Sequence, residues 1–148
     1  MEYIKKDVTT VQRGVVAHGV NCKGVMGSGV AKAIRDKWPV VYEEYSKLEP
    51  SPDLLGRCQL VPIDANVWVA NCFTQIAYGR NPSVKYASSH AVHTSLQKAM
   101  QFALESELPF YMPPIGCGLG GLSWNVEVRN IVEELEAKYK IPVYICDI

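Results

Sequence analysis

The stretch PPIGCGLGGLSW, at residues 113–124, places four glycines within six positions. It follows the apolar run FYM at residues 110–112 and precedes a helical pattern that begins near Asn125. A strand, a glycine-rich turn and a helix N-terminus can together hold phosphate, because glycine lets a ligand approach the backbone amides. The alternative is a tight strand-to-helix turn that binds no ligand. The stretch therefore predicts a strand-turn-helix unit, with anion binding as its first functional interpretation.

A second loop of the same kind, HGVNCKGVMGSGVA at residues 18–31, also joins an apolar strand to a helix. Its Gly27, Ser28 and Gly29 stand where the first free amides of that helix would face an anion. The loop is neither a Walker A motif nor a G-x-G-x-x-G dinucleotide fingerprint. Each loop alone is weak support for a ligand. Two such loops on successive halves of one small sheet predict a diphosphate held between them.

Length and charge limit the remaining possibilities. The chain has 148 residues, of which 48% are hydrophobic and 20% are charged, as expected for one globular domain over residues 1–148. Fifteen basic residues balance fifteen acidic ones, so no global field recruits nucleic acid or an anionic membrane. An anionic ligand would therefore have to be held by local backbone dipoles.

Cysteine usage predicts the compartment. The five cysteines are odd in number and form no C-x-x-C pair, which argues against a disulfide framework or a structural zinc site. Cys22 and Cys117 lie in or beside the glycine loops and are interpreted as packing residues, because no partner base is visible in the sequence. The charged N-terminus has no signal-peptide pattern. We expect a cytoplasmic monomer with no membrane partner, no metal and no cofactor.

Strand-like and helix-like segments alternate along the chain. Strands are predicted at residues 15–17, 57–63, 67–73, 110–112 and 143–146, and helices at residues 29–38, 41–48, 92–103 and 128–139. Residues 77–89 are polar, contain glycine and proline, and are predicted to form a mobile loop. The alternation predicts an α/β sandwich with a mixed sheet and helices on both faces. Ligands of such sheets bind at the carboxyl ends of strands, where both glycine loops fall.

The two glycine loops and the residues around them resemble those of a known family. Asn21 with GSGVA at 27–31, followed by GCGLG at 116–120 before Trp124, resembles the macro domain. The resemblance runs from Asp7 to the last strand and implies a three-layer α/β/α sandwich with a central mixed sheet that binds ADP-ribose. Within the family, NCKGVMG and LLGRC are most similar to two branches. These are the ADP-ribose-1″-phosphate phosphatases and the hydrolases that remove ADP-ribose from macromolecules.

The resemblance also implies a set of binding residues. Asp7 would receive the adenine amino group and Asn21 would contact the distal ribose. The alternatives are a turn or surface aspartate and an Asx-turn asparagine. The residues implied for ADP-ribose binding are Asp7, Val8, Asn21, Gly27, Ser28, Gly29, Val30, Ile115, Gly116, Cys117, Gly118, Leu119 and Gly120.

Three residues are catalytic candidates. His18 resembles a histidine that lies near the terminal phosphate in the phosphatases, as a general acid or base or as a donor to the phosphate, with Asn21 supporting it. The alternative for His18 is a strand-end histidine that bonds the backbone. His90 follows a Tyr-x-Ser element at 86–88, near the place where related phosphatases carry aspartate. The alternative for His90 is an exposed residue in the first turn of a helix.

As the resemblance implies, relatives that act on macromolecules use a lysine of the loop at residues 77–89 or an aspartate in the second glycine loop. Gly120 occupies the aspartate position here, and Lys85 lies about two residues from the lysine position. We therefore expect a metal-independent phosphomonoesterase, a hydrolase that converts ADP-ribose-1″-phosphate to ADP-ribose and phosphate. The alternatives are an ADP-ribosyl hydrolase whose partners are ADP-ribosylated protein or nucleic acid, and a non-catalytic ADP-ribose reader.

Overall fold

The centre of the structure, a computed structural model that describes residues 1–147, is a six-stranded mixed sheet. Its strands are β1 (Glu2–Lys5), β2 (Gly14–Asn21), β3 (Cys58–Pro62), β4 (Val67–Gln75), β5 (Phe110–Met112) and β6 (Val143–Asp147). Their order is β1-β6-β5-β2-β4-β3, and every neighbouring pair is parallel except β3 with β4. Those two strands are antiparallel because a short turn joins them, in which Asp64 accepts hydrogen bonds from the amides of Asn66 and Val67.

Four helices cover the sheet: α1 (Gly29–Lys37), α2 (Pro39–Ser46), α3 (Ser89–Glu105) and α4 (Arg129–Tyr139). Pro39 ends the run of α1 and begins α2, since proline is well suited to the first position of a helix. At the start of α3 the hydroxyl of Ser88 accepts a hydrogen bond from the amide of Ala91, so Ser88 is the N-cap. A π-helical turn at Trp124–Val128 leads into α4.

Alternation along β2 divides the core into two clusters. Val15 and Ala17 pack with α3 and α4 on one face, while Val16 and Val20 pack with α1 and α2 on the other. A strand covered on both faces must be buried along its length, and β2 is. The structure therefore confirms the three-layer α/β/α sandwich. Within residues 1–147, none of the helices combines the length and the apolar character needed to cross a membrane.

Candidate functional site

A cavity of about 790 Å³ lies at the carboxyl edge of the sheet. Three segments enclose it: residues within 18–31, which include the end of β2 and the loop after it, residues within 74–80, which include the end of β4 and the loop after it, and residues within 113–120 after β5. The volume is in the range of about 300–1,000 Å³ that small-molecule sites occupy. The wall contains eleven of the predicted binding residues: Asn21, Gly27, Ser28, Gly29, Val30, Ile115, Gly116, Cys117, Gly118, Leu119 and Gly120.

The first glycine loop presents the N-terminus of α1 to this cavity. Ser28 occupies the N-cap position, yet its side chain makes no capping hydrogen bond. The amides of the first helical turn therefore lack the partner that a capping side chain would supply. Gly29 has a φ of 62°, and an added Cβ there would meet no atom within 4 Å. The helix dipole and these amides favour an anion at this end of the cavity.

The second glycine loop is shaped by bonds to its carbonyl groups. The hydrogen bonds run from Leu122 to the carbonyl of Gly116 (2.9 Å), from Gly121 to that of Gly118 (3.1 Å) and from Ala87 to that of Gly120 (3.0 Å). The amides of Gly118, Leu119 and Gly120 have no hydrogen-bond partner among the residues that the structure describes. Both walls of the cavity therefore carry backbone donors that are available to a ligand.

His18 lies in the cavity wall near the end of β2, with only 1% of its surface exposed. Its Nε2 contacts the side-chain oxygen of Asn71, in the neighbouring strand β4, at 2.5 Å. Its Nδ1 is buried and has no partner in the described part of the chain. Burial lowers the pKa of His18 to about 4, although the hydrogen bond to Asn71 acts in the opposite direction. His18 is therefore neutral at physiological pH, and its partner is a side chain rather than the backbone.

Asn21 ties its own loop together. Its side-chain oxygen accepts from the amides of Lys23 (3.0 Å) and Val25 (3.4 Å) and from the hydroxyl of Tyr45 (3.0 Å). Its Nδ2 donates to the carbonyl of Val25 at 2.7 Å. The bond to Lys23 is that of an Asx turn, the alternative that the sequence left open. One N–H of the amide is left for a ligand, because an amide nitrogen carries two hydrogens.

Tyr45 supports Asn21 from helix α2. Its hydroxyl lies 2.7 Å from the backbone oxygen of Asn21 as well as 3.0 Å from the side-chain oxygen. Burial raises the pKa of Tyr45 to about 12, so the hydroxyl keeps its proton and remains a donor. The position of Asn21 at the cavity therefore depends on a residue of the α1–α2 layer.

The structure does not bring His90 to this cavity. His90 lies with Arg57 and Lys98 at a second cavity of about 340 Å³. His90, Thr94 and Lys98 recur every four residues along α3, so they share the face of that helix that lies beside residues 53–57. His90 is exposed, as its alternative interpretation predicts.

Three other candidate residues, Lys85, Asp7 and Val8, also lie outside the cavity wall. Lys85 forms an ion pair with Glu127, whose other oxygen accepts from the amide of Ser123. Asp7 caps the short turn Val8–Thr10, and the amide and hydroxyl of Thr9 both donate to its Oδ1. These bonds lower the pKa of Asp7, and Oδ2 keeps its lone pairs for a further donor. Val8, next to Asp7, is buried in the α1–α2 layer.

Cys117 is a packing residue of the second glycine loop. Its thiol donates to the carbonyl of Ile115 at a sulfur–oxygen distance of 3.4 Å. Burial raises the pKa of Cys117 to about 11, and the charge of Glu127 adds to the effect. A thiol in this state is a poor nucleophile at neutral pH. In the part of the chain that the structure describes, no three His, Cys, Asp or Glu side chains are grouped as metal ligands.

The sequence analysis missed the third wall of the cavity. Tyr78, Gly79 and Arg80 line it from the loop after β4, which was predicted only to be mobile. Arg80 is exposed and makes no ion pair or hydrogen bond within residues 1–147. The signal that could have found it is the strand before it, since every parallel strand of such a sheet delivers its following loop to the same edge. Arg80 gives this edge a cation suited to phosphate.

A model of the macro domain family matches residues 17–131. The chain belongs to the macro domain family. The match runs from β2 into α4 and so includes both glycine loops and the loop that carries Arg80. The three segments around the cavity are therefore parts of the family's own architecture.

Similar proteins cover this macro domain almost completely. An ADP-ribose 1″-phosphate phosphatase from Debaryomyces hansenii is 27% identical, over 99% of this chain and 99% of that protein. A DNA ADP-ribosyl glycohydrolase from Thermus aquaticus is 25% identical, over 98% of this chain and 40% of that protein. A solved macrodomain structure from Streptomyces coelicolor has a TM-score of 0.81 and 26% identity, over 99% of this chain and 98% of that one. The similarity therefore extends over the whole sheet and all four helices.

Proposed function

We propose that this macro domain binds ADP-ribose in the 790 Å³ cavity and hydrolyses ADP-ribose-1″-phosphate to ADP-ribose and inorganic phosphate. The observation that carries the proposal is the pair of donor sets that face one cavity: the uncapped first turn of α1 and the free amides at 118–120. Two opposed sets of amides suit the two phosphates of a diphosphate. The relative from Debaryomyces hansenii, named as such a phosphatase, supports the choice of substrate.

The rest of the ligand has partners of suitable chemistry. The remaining N–H of Asn21 can donate to a hydroxyl of the distal ribose. Asp7 lies outside the cavity wall, so its Oδ2 would accept from the adenine amino group where the adenosine part of the ligand extends beyond the cavity. Arg80 can approach a phosphate from the loop after β4. The amides at 27–30 and 116–120 would hold the diphosphate between them. His90 has no part in this arrangement, because it lies at the other cavity.

In the proposed reaction, water attacks the terminal phosphorus and the phosphorus–oxygen bond to the ribose breaks. The ribose oxygen takes a proton and leaves as the hydroxyl of ADP-ribose, and the other product is inorganic phosphate. Positioned amides and Arg80 would stabilise the charge on the transferring group. Binding energy from the adenosine and diphosphate portions would hold the terminal phosphate in line with the water.

Calorimetry with ADP-ribose, paired with a phosphate-release assay on ADP-ribose-1″-phosphate, tests this proposal. We expect binding and release, and we expect the release to persist in EDTA because the proposed chemistry uses amides and Arg80 instead of a metal. p-Nitrophenyl phosphate, which lacks the ADP-ribose portion, is the control substrate and should react poorly. Binding of ADP-ribose without any phosphate release would indicate a non-catalytic ADP-ribose reader instead of a phosphatase. Absence of ADP-ribose binding would reject the whole assignment.

An ADP-ribosyl hydrolase acting on modified nucleic acid is the second candidate, favoured by the Thermus aquaticus relative named as a DNA ADP-ribosyl glycohydrolase. Two features weigh against it. Lys85 is paired with Glu127 and lies outside the cavity wall, and position 120 is glycine. Incubation with ADP-ribosylated DNA separates the candidates, because the hydrolase releases ADP-ribose and no inorganic phosphate.

Arg80→Ala is expected to weaken ADP-ribose binding at least about tenfold, because a charge-assisted hydrogen bond contributes roughly 1.5–3 kcal/mol. The variant should also bind with a shallower dependence on salt. Arg13→Ala is the matched control, since Arg13 precedes β2 at the opposite edge of the sheet and donates to the carbonyl of Glu107. Equal affinities in calorimetry of Arg80→Ala and Arg13→Ala would remove Arg80 from the site.

A further inference from the structure

A row of three polar side chains, of which His18 and Asn71 are buried and Gln59 is half-buried, connects His18 to the backbone of helix α2. His18 in β2, Asn71 in β4 and Gln59 in β3 are aligned across three neighbouring strands. His18 Nε2 lies 2.5 Å from Asn71 Oδ1, Asn71 Nδ2 lies 3.1 Å from Gln59 Oε1, and Gln59 Nε2 lies 2.9 Å from the carbonyl oxygen of Glu44. We call this row the relay.

The carbonyl of Glu44, at the end of the relay away from His18, determines which group donates and which accepts in each hydrogen bond of the relay. The carbonyl of Glu44 can only accept, so the Gln59 group that faces it must be the NH₂ donor. The oxygen of Gln59 then faces Asn71 and must be met by the NH₂ of Asn71. The oxygen of Asn71 consequently faces His18, and it requires a hydrogen on Nε2. Each side-chain amide has one donor group and one acceptor group. The carbonyl of Glu44 therefore fixes the orientation of both amides, and these in turn require a hydrogen on Nε2 of His18.

From this geometry we propose that the relay fixes His18 as the Nε2–H tautomer, so that Nδ1 acts as a hydrogen-bond acceptor toward an O–H group in the cavity. The inference rests on the proposed function for the identity of that group: a distal ribose hydroxyl of the ligand or the attacking water. His18 lines the cavity, and Nδ1 is the ring nitrogen that no other described group engages. Asn71 and Gln59 are positioning residues.

The proposal narrows the role that the sequence left open for His18. In the Nε2–H tautomer the single N–H hydrogen of the neutral ring is donated to Asn71, so the ring has no N–H left to donate to a phosphate. A lone pair at Nδ1 can orient a hydroxyl or take a proton from water. His18 is thereby assigned the accepting role, and the donors to phosphate are the backbone amides and Arg80.

Nitrogen-15 NMR of histidine-labelled protein tests the tautomer without any ligand. The His18 resonances are identified by their loss in His18→Gln, since the chain has three histidines. We expect an unprotonated Nδ1 and a protonated Nε2 at neutral pH. A protonated Nδ1 in the ligand-free protein would overturn the proposal, whatever the protein binds.

Gln59→Met tests the relay at a position that does not touch His18. Without Gln59 the amide of Asn71 can turn over, so we expect part of the Nδ1–H tautomer in the spectrum and about a tenfold lower kcat at nearly unchanged KM. Ser95→Ala is the control, because Ser95 is a buried polar residue whose hydroxyl bonds to α3 carbonyls instead of the relay. A wild-type spectrum and a wild-type kcat in Gln59→Met would contradict the relay. An equal loss of kcat in Gln59→Met and Ser95→Ala would also contradict it.

Ligand titration identifies the O–H group. Accepting a hydrogen bond moves the resonance of an unprotonated nitrogen, so ADP-ribose should shift Nδ1 if the donor is a distal ribose hydroxyl. ADP, which lacks that ribose, should not shift it. If ADP-ribose binds without shifting the Nδ1 resonance, the ribose hydroxyl is not the donor. A lower kcat in Gln59→Met would then indicate that the donor is the attacking water, and an unchanged kcat would reject the accepting role of Nδ1. Failure of the proposed function looks different, because the wild type would then release no phosphate while the tautomer in the ligand-free protein stays as proposed.

Discussion

Gly118→Glu should reduce the affinity for ADP-ribose at least about 100-fold, or about 3 kcal/mol, and leave the melting temperature nearly unchanged. An added Cβ at Gly118 meets no atom within 4 Å, and its φ is not in the left-handed region, so the loop can take a side chain without distortion. Gly118 lines the cavity beside free amides. A carboxylate placed there would occupy the volume of the diphosphate and repel its charge.

Two variants control this prediction. Gly118→Ala adds volume without charge and should weaken binding much less than Gly118→Glu. Gly121→Ala should destabilise the fold, because Gly121 has a φ of 84° and its added Cβ would lie 2.8 Å from the carbonyl oxygen of Val84. Calorimetry and thermal unfolding of the three proteins separate loss of ligand from loss of structure. Wild-type affinity in Gly118→Glu would mean that this loop does not hold the ligand.

The layers of the fold could be predicted, and the ends of its strands could not. Alternation of apolar segments predicted helices on both faces of a mixed sheet, because each segment must bury an apolar face. β2 runs through His18 to Asn21, beyond the apolar residues that predicted it. These polar residues stay in the strand because groups on other elements bond to Nε2 of His18 and to the backbone oxygen of Asn21. β1 was not found by its pattern, since it is an edge strand with mostly exposed residues.

The parts of the candidate site that have an unusual local composition could be predicted from the sequence. The parts that reach the cavity only through the arrangement of the strands could not. Glycine marks both predicted loops, because close approach to backbone amides requires a small residue. The sequence around Arg80 has no comparable glycine pattern. Arg80 reaches the cavity because β4 lies beside β2 in the sheet, and this strand order cannot be read from a local sequence pattern. His90 illustrates the converse, since its place in the sequence did not reveal which face of α3 it occupies.

The relay could not have been predicted either. It depends on the register that sets His18 beside Asn71 and Asn71 beside Gln59, and on the approach of α2 to the edge strand β3. A change of one residue in either register would move one member to the opposite face of the sheet. The sequence thus supplied a histidine with two open roles, and three-dimensional contacts are what select between them.

Acid should destabilise the wild-type protein through His18 by about 3 kcal/mol between about pH 6.5 and pH 4. The pKa of His18 is lowered from 6.5 to about 4, mainly because burial disfavours the charged imidazolium. Between these values the unfolded chain binds a proton that the folded protein does not. The free energy of unfolding therefore falls as the pH decreases through this window, and this group contributes no further loss below it.

His18→Gln provides the comparison, because the amide of glutamine can donate to Asn71 but does not titrate. Urea unfolding at a series of pH values should give wild-type and variant curves whose difference changes by about 3 kcal/mol across the window. His90 and His93 are present in both proteins and cancel in the difference. A constant difference would mean that His18 titrates near its ordinary pKa in the folded state. The imidazole would then be hydrated or paired with a negative charge in the folded protein, which would contradict its burial beside the uncharged side chain of Asn71.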